Sequence, residues 1–287
     1  MMIEPITVGL IGLGCLAILV VIGMQVAYAG ALVGLMGIVV TIGARRVRDT
    51  GDFWDILDKG WEPGLKNAGT IPFSELAHYS LSVLPMFILI GYMAFHARLT
   101  QGAFYCMRMW FGHLPGGLAI STILTCAGFS ATSGSSVATA ATVGAISLPE
   151  MKQAGYDKRL SAGCVAAGGV LGVLIPPSVL LVFYAALTEV SAGKMLVAGI
   201  LPGILSVAVF VAGVFIISVM KPDMCPKGER VGWKKRITSL RKAWQLLVLI
   251  IVVLGSIYTG WATPTEAASL GAVASVLFLL CSNYVLF

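Results

Sequence analysis

Apolar residues run along this chain in long blocks, not in the alternation of a half-buried strand or the stripe of a surface helix. Seven stretches hold no Asp, Glu, Lys or Arg: residues 5–44, 76–97, 109–149, 160–188, 195–220, 243–265 and 267–287. A helix that crosses a bilayer needs about 20 apolar residues, and every block reaches that length. The pattern predicts an all-α integral membrane protein.

Interruptions divide the blocks. Gly23-Met24-Gln25 splits the first into a helix pair over 1–43. The segment 44–80 carries most of the early charge and reads as an external loop. A third helix and an interfacial arm occupy 81–113, a glycine-rich segment 114–150, a proline-broken helix 160–188 and a further helix 195–220. A basic arm over 221–243 leads into a last helix pair over 244–287.

Composition agrees with the pattern. Hydrophobic residues make up 58% of the chain and charged ones 11%, against about 25% charged in an ordinary soluble domain. The net charge of +6 is scattered between the apolar blocks, which argues against nucleic acid and for membrane orientation. Between Lys221 and Lys242 stand eight Lys or Arg against two acids, Asp223 and Glu229, which places that arm in the cytoplasm. Counting crossings back from it puts Lys152, Lys158 and Arg159 inside as well. Arg98 and Arg108 follow only if 114–150 enters and leaves by one face, as a re-entrant hairpin opening to the cytoplasm. Arg45, Arg46 and Arg48 then lie outside, against the positive-inside rule, beside five acids from Asp49 to Glu62. The arm itself repeats Trp233, Ile237, Leu240 and Trp244 at helical spacing, with Lys234, Arg236, Arg241 and Lys242 placed to reach lipid phosphates.

Candidate chemistry sits at two places. Ser130, Thr132, Ser133, Ser135 and Ser136 flank Gly134 at membrane depth, with Thr139 one turn on. Unsatisfied backbone groups are costly there. A hairpin tip can turn carbonyl and hydroxyl oxygens towards a cation and the N–H groups of its second helix towards an anion. The competing reading is close helix packing by small residues. The second place is the run Gly168, Gly169, Gly172, Pro176, Pro177 and Ser178, where two prolines remove backbone donors and break a crossing near its middle. Broken helices at the midplane mark substrate sites in secondary transporters, although Gly168 and Gly172 also suit helix packing. Glu266 follows Pro264 at a helix start, where capping is favoured over an intramembrane acid role.

Other patterns are set aside. Gly12-Leu13-Gly14 opens a dinucleotide-type match inside an apolar helix, without the strand that motif requires. No phosphate-loop motif occurs. Ala131 to Gly134 approximates an intramembrane serine protease tip, but His78, His96 and His113 all precede the serine. The six cysteines form no CxxC pair and read as small apolar residues. With no Lys or Arg ahead of its apolar run, and Glu4 there instead, the first helix is read as retained.

The first and last helix pairs, about 240 residues apart and oppositely oriented in the counted topology, predict an inverted-repeat, ion-transporter-type fold whose second repeat is incomplete. At this point the chain resembles the large membrane subunit of tripartite ATP-independent periplasmic (TRAP) transporters. The matching residues are Gly112–Gly117 (GHLPGG), Ser133–Ala138 (SGSSVA), Pro149–Tyr156 (PEMKQAGY), Ile175–Ser178 (IPPS), Ala198–Gly203 (AGILPG) and Thr263–Ala267 (TPTEA).

The resemblance implies a multi-pass protein of the bacterial inner membrane, not an enzyme, that takes up organic acids by a sodium-coupled elevator movement. It implies two partners, a small four-helix membrane subunit and a periplasmic binding protein, and Na+ as coupling ion with no other cofactor. By resemblance, Ser133, Gly134 and Ser136 form one sodium site with backbone at Gly168, Gly169 and Pro176. Family members are considerably longer, so a second hairpin and a second sodium site are expected beyond Phe287, and this length of chain is expected not to support uptake alone. The alternatives are a stand-alone organic-anion transporter of related architecture and, from another class, an ion channel or a protease.

Overall fold

The computed structural model describes residues 5–47, 52–77, 79–228 and 231–284. Glu4, Arg48, Asp49, His78, Glu229 and Phe287, used in the sequence reading, lie outside them. The described residues form helices and connecting turns, without a strand. They fall into two compact units, residues 1–78 and 79–287.

The first unit holds α1 (Pro5–Val21), α2 (Val26–Val47) and α3 (Phe53–Leu76). α1 stops where Gly23 takes φ +99°, and the N–H groups of Gly23 and Met24 return to the carbonyls of Val20 and Leu19, the paired closure of a glycine-capped helix end. α3 stands where an external loop over 44–80 is expected from the sequence. Its charges and two internal prolines, Pro63 and Pro72, hide it. Gly60 and Gly64, four residues apart, bring it into backbone contact with α2: a methyl on Gly60 would stand 2.1 Å from the Val39 carbonyl oxygen. Small residues at this spacing let two helices approach until packing alone holds them.

The second unit contains α4 (Val83–His96), α5 (Leu99–Phe111), α6 (Gly117–Ser133), α7 (Ser136–Gln153), α8 (Lys158–Leu174), α9 (Val179–Leu187), α10 (Ala192–Ala198), α11 (Ile200–Met220), α12 (Trp233–Tyr258) and α13 (Pro264–Tyr284). By length and composition α2, α10–α11 together, α12 and α13 can each cross a membrane. α4–α5 and α8–α9 are bent pairs, at 66° and 41°. The basic arm differs from the sequence reading: no residue breaks the helix after Trp233, so its second half and the next crossing are one 26-residue helix. α12 is seated on α5, where Gly102 would put a methyl 2.1 Å from the Lys242 carbonyl oxygen.

Two apolar cores hold this unit together. Phe87 and Ile90 of α4, Phe129 of α6 and Leu249 of α12 are fully buried in one, beside the inner face of α13. Ile120 and Ile123 of α6, Met151 of α7 and Leu171 of α8 fill the other. α6 belongs to both, so its C-terminal end is positioned from two sides.

Glu266 acts at the start of α13. Its Oε2 accepts from the Thr263 N–H and hydroxyl, each at 2.8 Å, while the Glu266 N–H donates to Thr263 Oγ1 at 3.4 Å. This is a reciprocal capping box, the role the sequence favoured.

Candidate functional site

α6 and α7 are the two arms of a hairpin whose tip is Gly134-Ser135. Gly134 is left-handed, with φ +59°, and its N–H closes α6 on the Ser130 carbonyl. Ser135 is extended and caps α7 by accepting from the Ala138 N–H at 3.3 Å. Ser133 and Thr139 point at each other across the turn. Their hydroxyls are 2.9 Å apart, at 2% and 0% exposure.

The break between α8 and α9 meets this tip. Pro176 and Pro177 supply no N–H to the carbonyls four residues earlier, those of Gly172 and Val173. Ser178 restarts the chain as the cap of α9, accepting from the Leu181 N–H at 3.4 Å. The Val179 N–H donates to the Gly134 carbonyl at 3.2 Å, so the first turn of α9 is tied to the hairpin by a main-chain hydrogen bond. On Gly172 a methyl would lie 2.6 to 2.8 Å from backbone atoms of Ser135 and Ser136. On Gly134 it would lie 2.7 Å from the Pro177 carbonyl oxygen. The far side of the tip is closed by α4, where Gly91 leaves no room for a methyl beside Ser133.

Of the residues singled out in the sequence, Ser133, Gly134, Ser135, Ser136, Thr139, Gly172, Pro177 and Ser178 thus come together. Two do not share that point, and Gly169 stands at its edge. Gly168 sits one turn back in α8 against Cys126 of α6, while a methyl on Gly169 would meet Ala140 of α7 and lie 3.3 Å from the Ser136 carbonyl oxygen. Pro176 faces the other way, into an apolar cavity of about 540 Å³ that also touches Leu124, Ile204 and Tyr258. Two oxygens lie outside the predicted site residues, although Ser130 belongs to the same hydroxyl run. Counting four residues back from each proline finds the freed carbonyl of Val173 as readily as that of Gly172. Ser130, fully buried one turn before the tip, has a hydroxyl without a hydrogen-bond partner among the described residues.

The side-chain donors are oxygens, the Ser133–Thr139 pair and the unsatisfied Ser130 hydroxyl, and the two prolines leave the Gly172 and Val173 carbonyls without their i+4 N–H donors. Among the described residues no three His, Cys, Asp or Glu side chains converge. Such a set fits a hard monovalent cation. Beside it α7 and α9 begin: the Ala138, Val179 and Leu181 N–H groups are taken by Ser135, Gly134 and Ser178, while those of Ser136, Val137 and Leu180 have no intrahelical acceptor and carry the partial positive charge that suits a carboxylate.

The profile of the tripartite ATP-independent periplasmic transporter, DctM component, matches residues 13–285. The chain belongs to this family. It is 40% identical over 208 residues to the C4-dicarboxylate TRAP transporter large permease protein DctM of Pseudomonas aeruginosa, covering 72% of this chain and 48% of that one. The Vibrio cholerae protein of the same name is 38% identical over 208 residues, covering 72% and 45%. The sialic acid TRAP transporter large permease protein SiaM of Vibrio cholerae is 31% identical over 217 residues, covering 75% and 50%. The chain spans about half the length of these curated relatives. They are transporter permeases, not enzymes, and the family and the apolar helices together make this a multi-pass membrane protein.

Within this TRAP permease fold both open ends of the hairpin lie at one end of the second unit. The Leu118 N–H, at the start of α6, donates to the hydroxyl of Tyr156, just after α7, at 3.2 Å. Arg108 of α5 donates to Glu150 of α7, and the Asp157 N–H reaches the Met224 carbonyl of the loop after α11. Lys152, Lys158, Arg159 and the loop from Lys221 therefore cluster at the hairpin's base, and the buried tip is surrounded by protein.

Burial pushes the Tyr156 phenol from 10.0 up to about 12. A raised acid pKa means the folded state keeps its proton longer than the unfolded one. Its contribution is complete below about pH 10 and is lost as pH rises towards 12. Tyr156→Phe is expected to lower stability at neutral pH, because Leu118 loses its acceptor, and to flatten the alkaline decline. Thermal unfolding of both proteins from pH 8 to 12 checks this, and parallel curves would refute it.

Proposed function

We propose that this chain is the hairpin-bearing part of a TRAP large permease subunit, and that its tip binds Na+ and the carboxylate of an organic acid together. The observation that carries the reading is the junction at Gly134. There the hairpin tip and the restart of the broken helix share one hydrogen bond, with the oxygen-rich side and the two helix N-termini side by side. A cation on the oxygens strengthens carboxylate binding on the adjacent N–H groups, and the reverse follows by linkage. That is the physical basis for coupled uptake.

The remaining parts follow from membership of the family. The organic acid arrives on a periplasmic binding protein, and a small four-helix membrane subunit flanks the scaffold. The relatives named for C4-dicarboxylates and sialic acid act on molecules that carry carboxylates, and this chain takes a substrate of that class. The hairpin base, with its cluster of Lys and Arg, faces the cytoplasm of a bacterial inner membrane. α6 to α9 move as a body in an elevator stroke, because the tip and the break are tied to each other.

Sodium binding is testable on the chain itself. In detergent, NaCl is expected to raise the unfolding temperature saturably over choline chloride at matched ionic strength. Identical curves in the two salts would remove the sodium assignment while leaving the family untouched.

A further inference from the structure

The second half of α5, the first turn of α6, the end of α7, Gly228 and the start of α12 with the residues just before it line an open cavity of about 1050 Å³ at the hairpin's base. Its charged lining is Arg108, Glu150, Lys234 and Lys235. Glu150 accepts from Arg108, the one ion pair among the described residues, so that pair is internally neutral. Among the described residues the two lysines leave the lining with excess positive charge, and neither has an acidic partner. α12 starts here with Gly232 as a cap that offers no side chain and with no acid in its first turn. Its leading N–H groups, which have no intrahelical acceptor, lie at the same rim as the lysines. Met109, Leu118 and Val231 make part of the wall apolar.

Aromatic residues mark the depth. The Trp110 and Trp233 rings meet edge to face at 6.4 Å, Trp110 Nε1 donates to the Arg236 carbonyl at 3.2 Å, and the Arg236 guanidinium lies over the Trp233 ring. Tryptophan collects at the boundary between lipid and water. From there α12 carries Ile237, Leu240 and Trp244, all exposed, into the bilayer. The cavity is thus at the height of the lipid headgroups.

The geometry points to this cavity as a binding site for the phosphate headgroup of an anionic phospholipid. The phosphate oxygens pair with Lys234 and Lys235 and with the first N–H groups of α12, while the apolar wall takes the glycerol end of the acyl chains. Basic pockets between helices on the cytoplasmic side bind anionic headgroups in this way. Free phosphate would leave Met109, Leu118 and Val231 facing water. A lipid held here joins α5 and α12 to the end of the hairpin at Glu150, so it braces the base on which the tip depends. The site requires only that the chain sits in a bilayer, so it stands independently of the sodium reading.

The experiment is a calorimetric titration of the detergent-solubilised chain with dihexanoyl phosphatidylglycerol, dihexanoyl phosphatidylcholine or inorganic phosphate, each lipid below its micelle concentration. The expected result is saturable binding of the glycerol lipid, weak binding of the choline lipid and none of phosphate. Lys234→Gln with Lys235→Gln should weaken the first about 30-fold, at roughly fivefold per lysine. Lys158→Gln with Arg159→Gln, on the same end but outside the cavity, should leave it unchanged, and Lys234→Arg with Lys235→Arg should keep most of it. Equal binding of the two lipids, an equal loss in the Lys158 and Arg159 pair, a loss with arginine as large as with glutamine, or phosphate binding as tightly as the glycerol lipid would each overturn the assignment.

Discussion

Gly172→Ala is expected to lower the stability of the chain by about 1–3 kcal/mol and to abolish its response to sodium. Judged by helix propensity alone the change should help, since alanine in a helix interior gains about 1 kcal/mol over glycine. Packing reverses the sign. The added methyl would lie 2.6 Å from the Ser135 carbonyl oxygen and 2.8 Å from the Ser136 nitrogen. Backbone atoms at a turn cannot swing away as a flexible side chain can, so α8 and the hairpin tip must separate. Gly163 supplies the comparison. It is exposed, on the same helix, with nothing within 4 Å of the position its methyl would take, so Gly163→Ala should be neutral or stabilising. Unfolding temperatures of the two variants with and without sodium decide the matter. If Gly172→Ala behaves like Gly163→Ala, the close seating of the tip on α8 is wrong.

The parts of this molecule legible in its sequence are those where one residue type has one physical consequence. Two consecutive prolines deny hydrogens to two carbonyls wherever they occur, so the break after Leu174 could be read directly. The hydroxyl-rich turn at Gly134 is conspicuous because polar residues are rare at membrane depth. What could not be read is direction. Gly168, Gly169 and Gly172 look alike in sequence, yet at 100° per residue they face Cys126, Ala140 and the Ser135 backbone respectively. Gly172 seats on the tip, Gly169 meets only its edge at the Ser136 carbonyl, and Gly168 does not reach it. Pro176 likewise lines an apolar cavity, while the Pro177 carbonyl oxygen lies against Gly134.

α3 was hidden for another reason. Its acids and prolines argue for a loop on any local scale, and its helix is held by contact with α2 through Gly60 and Gly64, which a local reading does not weigh. The continuity of α12 was obscured by charge. Lys234, Lys235, Arg236, Arg241 and Lys242 separate it from the apolar run that follows, although nothing in them interrupts a helix. The inverted repeat concerns how two halves relate, and the counted topology remains its support.

Ser133→Ala is expected to weaken sodium binding about tenfold or more, the equivalent of one hydrogen-bonding oxygen lost to a charged group. Ser136→Ala, at the half-buried first residue of α7, should weaken it less. The Ser133 variant alone is ambiguous, because it also strands the Thr139 hydroxyl, which is fully buried and has Ser133 as its side-chain partner. An unsatisfied buried hydroxyl costs about 1–3 kcal/mol by itself. Pairing it with Thr139→Val separates the two effects. Removing both partners of a buried hydrogen bond is close to neutral when shape is kept, so the double variant should recover stability relative to Ser133→Ala. If these oxygens ligate the ion, the double variant regains its fold and stays unresponsive to sodium. If the pair is structural, fold and sodium response return together, and the hydroxyl cluster becomes a packing device with the cation held by carbonyls alone. Sodium titrations of the three variants, followed by thermal unfolding against a choline baseline, distinguish these outcomes.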